Sequence, residues 1–259
     1  MSEFESRFSD AKRADLLAKA QKCIWLQEGH PGLSYLTNQR CLSEKVIKEF
    51  GLGYIPHDVL HQLAGRIIYP LFDPSGNLIA LMSRHIGIGK TKVPHWHEEY
   101  EKSFHLYGID KAKEYMRRWG FVIVVEGQVD ALQFHNHGVK NVVALCCTNL
   151  TDMQLAMICR YCDEVVLVLD SDPNRAGQTG TEKIMSRTLP LGIIPRDWQG
   201  EIERLGMGTG LCDQIVPAYL PNGMDPDEYI KAHGIQSIKG LIRAALMKMR
   251  GRECQLIST

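Results

Sequence analysis

The sequence predicts an α/β protein whose larger part is a parallel sheet covered on both faces. Three unbroken apolar runs carry this prediction: "FVIVVEG" at 121–127, "NVVALCC" at 141–147 and "EVVLVLD" at 164–170. Each is rich in β-branched residues, as strands buried on both faces require. Between and after them lie helical patterns, at 129–137, in "TDMQLAMICRYC" and in "RAGQTGTEKIMSRTL". Alternation of this kind is the signature of strand–helix–strand crossovers in one sheet.

The elements before and after the alternation are simpler. Residues 9–28 have the pattern of a helix, capped by Ser9 or Asp10, with Leu16, Leu17, Ala20 and Ile24 on one face. Gly29-His30-Pro31 would end it, and a second helical region follows in "GLSYLTNQRCLSEKVIKEFGLGY". "GRIIYPLFDPSGNLIALMSR" has the form of a β-hairpin, with Asp73-Pro74-Ser75-Gly76-Asn77 as its turn. Residues 85–105 are polar and are expected to be irregular. After a Gly/Pro-rich insertion at 190–210 come a last strand, "QIVPAYLP", and a helical tail at 226–250. The expected parts are therefore an N-terminal α/β subdomain at 1–118, the sheet domain at 119–222 and a short helical C-terminal tail at 223–259.

Composition narrows the class without naming a function. With 259 residues, 44% hydrophobic and 23% charged, the chain has the make-up of an ordinary globular protein. No apolar run reaches membrane-spanning length, and "MSEFESRFSDAKRADLL" has no apolar signal segment, so a cytoplasmic protein is expected. Lys plus Arg and Asp plus Glu are 30 each, so net charge does not decide for or against nucleic acid. The eight cysteines follow no disulfide spacing and are expected to be reduced.

The chemistry is concentrated where the strands end. "FVIVV" runs into Glu126 and Gly127, and "VVLVL" runs into Asp170 and Asp172. In a parallel sheet the carboxyl ends of the strands share one edge, where ligands bind. Carboxylates gathered there repel one another unless a hard cation stands between them, and all-oxygen donors suit magnesium or manganese. A single acid after a strand is commonly just a helix cap. Two acid-ended strands together favour the metal reading.

These residues carry a family resemblance. "VVEGQVDAL" followed by "VLVLDSDPNRAG" resembles the Toprim domain. That domain is shared by bacterial-type primases, type IA and type II topoisomerases, and some nucleases and recombination proteins. "SYLTNQRCLSEKVIKEFGLGYIP", "GRIIYPLFDPSGNLIALMSRHIG", "EKSFHLYGIDKAK" and "LPNGMDPDEYI" are similar, in the same order, to segments of the bacterial-type replicative primase catalytic core. The resemblance implies that Glu126, Asp170 and Asp172 hold Mg2+ or Mn2+, and that Asp130 completes the catalytic element. It further implies that Arg66, Arg84, Lys92 and Lys102, with Asp225 and Asp227, line the nucleotide and template groove. The implied activity is synthesis of RNA primers by metal-dependent nucleotidyl transfer. The implied partners are single-stranded DNA and nucleoside triphosphates, with a replicative helicase, a zinc-bearing protein or a single-strand-binding protein as further ones.

Departures from the family pattern are visible too. No zinc module precedes the core, the "HDVLHQLA" segment is short, "DSDPNRAG" carries extra residues, and little follows the Asp-Pro-Asp motif. No zinc is expected, and a phage or mobile-element source is suspected. Weak template selectivity is expected as well. The alternatives are a Toprim metal-dependent nuclease and a non-catalytic single-stranded DNA-binding accessory protein. Among weaker signals, Cys159 and Cys162 are expected to be core thiols. "HWH" at 95–97 suggests a polar role, with Trp96 stacking on a base. "GMGTG" at 206–210 precedes a strand and is discounted as a nucleotide loop, and His135 and His137 are expected to face a helix dipole.

Overall fold

The computed structural model describes residues 7–58, 62–87, 93–147, 149–169, 214–221 and 223–256. The chain forms two compact units, Met1–Glu101 and Lys102–Thr259. Asp170, Asp172, Lys92, the third helix of the alternation and the 190–210 insertion lie outside the described residues.

The first unit is built on an antiparallel sheet of four strands in the order β1-β2-β3-β4: β1 (Gly53–Ile55), β2 (Arg66–Phe72), β3 (Leu78–His85) and β4 (His95–His97). The β2–β3 hairpin turns where Asp73 stands. Its carboxylate accepts the backbone N–H groups of Ser75 and Asn77 and the side-chain amide of Asn77. A short polar side chain that bonds its own turn is what this sequence signal predicts. Helix α1 (Asp10–Cys23) is capped by Ser9 and buries Leu17, Ala20 and Cys23. It ends earlier than its apolar pattern suggests, because Trp25 and Leu26 bond to Lys22 and Cys23, three residues back, and the helix tightens out of register. Short helices α2 (His30–Ser34) and α3 (Glu44–Glu49) flank a π-helical turn at Tyr35–Gln39.

Residues 85–105 are not simply irregular. β4 pairs with β3, and Trp96 is 8% exposed, packed with Phe8, Leu17, Ile68 and Leu81. The alternation in "HWH" is that of an edge strand, with Trp96 inward and both histidines outward. Trp96 is a core side chain here, not a platform for a base. Glu98 follows it, fully buried, and accepts from Arg13 Nε at 2.9 Å and from the backbone N–H groups of Phe8 and Leu81. One carboxylate thus binds the chain before α1, the helix itself and β3.

The second unit is the parallel sheet, in the order β6-β5-β7-β8, made of β5 (Phe121–Val125), β6 (Val142–Ala144), β7 (Glu164–Val168) and β8 (Gln214–Pro217). Helix α4 (Ile109–Trp119) precedes it, and α5 (Gln128–Asn136) and α6 (Asp152–Ile158) are its crossovers. The unit closes with α7 (Pro226–His233) and α8 (Ile235–Leu256). The division falls at 101/102, earlier than the sequence suggests. Ile109, Ala112 and Met116 of α4 belong to one core with Val122, Val124 and Val165 of the sheet, so α4 belongs with the sheet. Gly120 makes the sharp passage from α4 into β5, at φ 75°, where a side chain would be strained. His135 is buried, and its Nε2 donates to the Val142 carbonyl at 3.0 Å, so it ties α5 to β6 rather than facing the helix dipole. Cys159 and Cys162 are buried core thiols. Among the described residues no helix is long and apolar enough to cross a membrane.

Removing the Glu98 carboxylate strands a buried guanidinium and two buried amides. Glu98→Ala should cost about 3–5 kcal/mol of stability, whereas Glu99→Ala should stay within about 0.5 kcal/mol. Urea denaturation of both variants checks this, and equal midpoints would contradict the role given to Glu98.

Candidate functional site

Glu126 is the first residue beyond β5, at the carboxyl edge of the parallel sheet, and its side chain is half-buried. Its carbonyl accepts the Cys146 N–H at 3.0 Å, and Leu145 N–H donates to Val125, so the chain leaving β6 is fastened beside it. Val125 is level with Val168 in the parallel register, so Glu126 and Leu169 leave the sheet together. Asp170 and Asp172 come next in sequence, outside the described residues.

Gly127 caps α5 and donates its N–H to Asp130 Oδ2 at 3.1 Å. A side chain on residue 127 would put its Cβ 2.7 Å from that oxygen, so glycine is needed for the turn to close. Asp130 is 6% exposed, and its Oδ1 accepts the N–H of Asp227 at 3.1 Å. Asp227, 2% exposed, accepts from Gln133 Nε2 at 2.7 Å and Lys231 Nζ at 2.8 Å. Asp225 caps α7, accepting the Glu228 N–H at 2.7 Å, with Pro226 in the first helical turn. The Glu-Gly-x-x-Asp and Asp-Pro-Asp elements are therefore one connected network. In it Asp130 and Asp227 point into the protein, while Glu126 stands at the edge.

Lys102 begins a 3-10 turn, Lys102–Phe104, that is held against the start of α6. Thr151 Oγ1 donates to the Ser103 carbonyl at 2.7 Å, and Gln154 Nε2 to the carbonyls of Lys102 and His105. The positive charge of Lys102 is felt at the Cys146 thiol, next to Glu126, so Lys102 belongs to the same edge. Burial pushes that thiol up to about 12, against the lesser pull of Lys102 and of Gln128, and it stays protonated at neutral pH. Cys146 is also one of two non-glycine residues with positive φ among the described residues, at 55°.

The first unit carries a separate basic group. Arg84 on β3 is level with His95 on β4, and its Nη1 lies 3.2 Å from His95 Nε2. Arg66 is 2% exposed and donates to the carbonyls of Val93 and Pro94 and to Ser83, supporting the start of β4 from beneath. Desolvation lowers the Arg66 pKa from its ordinary value. His95 is held below the usual imidazole range by desolvation first, then by the charges of Arg84, Arg66 and Arg40. Of the four basic positions expected from sequence, Arg84 is a surface contact and Arg66 a buried support. Lys102 sits in the other unit, and Lys92 lies outside the described residues. Sequence reasoning missed Arg40 and the basic role of His95. The signal for His95 was the outward position in the alternation of "HWH", whereas Arg40 carries none.

Comparison with known proteins agrees with this layout. Residues 120–196 match the model of the Toprim domain, a domain that generally binds divalent metal ions. A DNA primase of Aquifex aeolicus is 32% identical over 246 residues, spanning 82% of this chain and 45% of that protein. A DNA primase of Myxococcus xanthus is 28% identical over 258 residues, 86% of this chain and 39% of that one. The RNA polymerase domain of Mycobacterium tuberculosis primase superposes with a TM-score of 0.74 at 21% identity, over 90% of this chain and 82% of that domain. A primase catalytic domain bound to single-stranded DNA gives 0.74 at 20%, over 91% and 80%.

The chain carries the catalytic-core fold of the bacterial-type DNA primases. It spans less than half the length of the two curated primases just described. Within the primase core fold, the antiparallel sheet of the first unit and the Toprim sheet of the second are both present, with the helical part following.

The Asp130 network makes a graded prediction. Asp130→Ala leaves two buried backbone donors unmet and should cost about 2–5 kcal/mol, at roughly 1–3 kcal/mol per unsatisfied group. Asp130→Asn keeps one acceptor oxygen and should cost less. Gly127→Ala should fall between them, since it displaces the same carboxylate. Thermal melts of the three variants test the order, and a stable Asp130→Ala protein would contradict it.

Proposed function

We propose that the chain is the catalytic core of a DNA primase, joining ribonucleotides into short primers on single-stranded DNA. The observation that carries this reading is the placement of Glu126 at the carboxyl edge of a Toprim sheet, in a chain related to DNA primases over 82% of its length.

In this reading the 3′-hydroxyl of one nucleotide attacks the α-phosphate of the next, and pyrophosphate leaves. Glu126, Asp170 and Asp172 form the donor set. All are carboxylates, as a hard divalent cation such as Mg2+ or Mn2+ prefers, and none is a soft thiolate or imidazole. A cation bound there would neutralise phosphate charge and lower the pKa of the attacking hydroxyl. Lys102, fixed by Thr151 and Gln154 through its own turn, offers an ammonium to the triphosphate. Arg84 faces solvent from the edge of its sheet and offers a guanidinium to backbone phosphates. Asp130, Asp225 and Asp227 act as positioning residues, holding the Glu126 turn against α7. The partners follow from the chemistry: single-stranded DNA, nucleoside triphosphates and the divalent ion. A helicase, a zinc-bearing protein or a single-strand-binding protein would supply template selectivity that phosphate contacts alone do not give.

The test is incubation with single-stranded DNA, labelled ribonucleotides and Mg2+ or Mn2+. New oligomers are expected, and Glu126→Gln or Asp170→Asn should lower their yield on the order of 100-fold or more, with unfolding midpoints little changed. Lys102→Ala should lower it less, and increasingly so as salt rises. Shortened DNA without new oligomers would make the site a nuclease, and full yield from Glu126→Gln would overturn the assignment.

A further inference from the structure

The outward face of β4 in the first unit gathers basic groups with no acid set against them. His95 is exposed on the edge strand, and Arg84 lies level with it across the β3–β4 pair, 3.2 Å from its Nε2. Arg66, one strand further in, anchors the Val93–Pro94 segment that leads to His95. Arg40, just after the π-helical turn and donating to the Tyr35 hydroxyl at 2.8 Å, adds a third guanidinium within electrostatic range. The charged groups acting on His95 from these three elements are all cations. Glu98, three residues along, is buried and engaged by Arg13, Phe8 and Leu81.

This arrangement fixes the state of the free imidazole. Arg84 is always a donor, so a 3.2 Å contact to Nε2 requires Nε2 to be the acceptor, with the ring proton on Nδ1. A second proton on Nε2 would set donor against donor and cation against cation. A phosphate oxyanion seated beside the two groups reverses both costs, since it accepts from Arg84 and from a protonated imidazole alike.

We propose that His95 is a phosphate-responsive contact of the basic face, neutral when the face is free and protonated from solvent when a phosphate group binds. The site then holds one more proton with phosphate than without it, so binding must tighten as pH falls through the interval between the free and bound pKa values. Placing nucleotide or template phosphate here rests on the primase reading. Proton uptake on phosphate binding does not, and is measured without catalysis.

The experiment is calorimetric binding at pH 6.5 and 8.0, with wild type, His95→Gln and His95→Lys. Two phosphate sources serve as probes: an oligothymidylate, whose phosphodiesters do not titrate in this range, and inorganic tripolyphosphate, whose own titration is common to all variants. Wild type should bind at least one probe about 3- to 10-fold more tightly at the lower pH than His95→Gln does, relative to their ratio at pH 8.0. His95→Lys should bind tightly at both. The probe showing the difference identifies strand backbone or triphosphate as the occupant. Equal pH dependence in wild type and His95→Gln with both probes would overturn the proposal. Failed primer synthesis with the pH difference intact would count against the primase reading alone. Because His95 is exposed at a sheet edge, both variants should keep the wild-type melt, and the lysine form keeps a charge there should glutamine perturb the edge.

Discussion

The carboxylate of Asp130 is the constraint on which the candidate site depends. With one oxygen it accepts the N–H of Gly127, and with the other the N–H of Asp227, at 3.1 Å each. The first bond fixes the turn that points Glu126 out of the sheet edge, and the second brings the start of α7 against that turn. Asp227 extends the network to Gln133 and Lys231, so its negative charge is met inside the protein instead of facing water. Several acids in one neighbourhood are tolerable because they do different work. Asp130 and Asp227 are satisfied internally, and this leaves Glu126 at the open edge to meet a ligand.

The first unit shows the same economy with opposite charge. Arg66 has its hydrogen bonds directed into its own sheet, where they set the path into β4, while Arg84 and His95 face outward. A buried cation raises the local potential without touching a ligand. Mutating Arg66 would therefore disturb both the fold of β4 and the field at its surface. Arg84 is the side chain whose loss isolates contact from structure.

Much of the fold was legible because its signals are local. The hairpin was readable from Asp73 and Gly76, and the parallel sheet from three apolar runs, as each rests on a pattern a short window displays. The irregular reading of 85–105 failed because a three-residue edge strand is shorter than any period can establish, and because Glu98 looks like a surface acid until Arg13, far away in sequence, is brought to it. The site was partly legible. Motif spacing located Glu126 and Asp130 together, but it could not show that Asp130 turns inward to Asp227, a contact spanning most of the second unit's sequence. Arg40 was invisible for the same reason: its role is set by tertiary approach to His95 and by no local pattern.

The central claim is that Glu126 is set apart from its neighbouring acids as the one offered to a divalent cation. Titration of the apoprotein with Mn2+, followed by electron paramagnetic resonance, tests it without requiring synthesis. Wild type should bind the ion, Glu126→Gln should lose that binding, and Asp130→Asn should retain it with weakened affinity. Wild-type affinity in Glu126→Gln, or complete loss in Asp130→Asn with Glu126 intact and the protein folded, would contradict the division of roles.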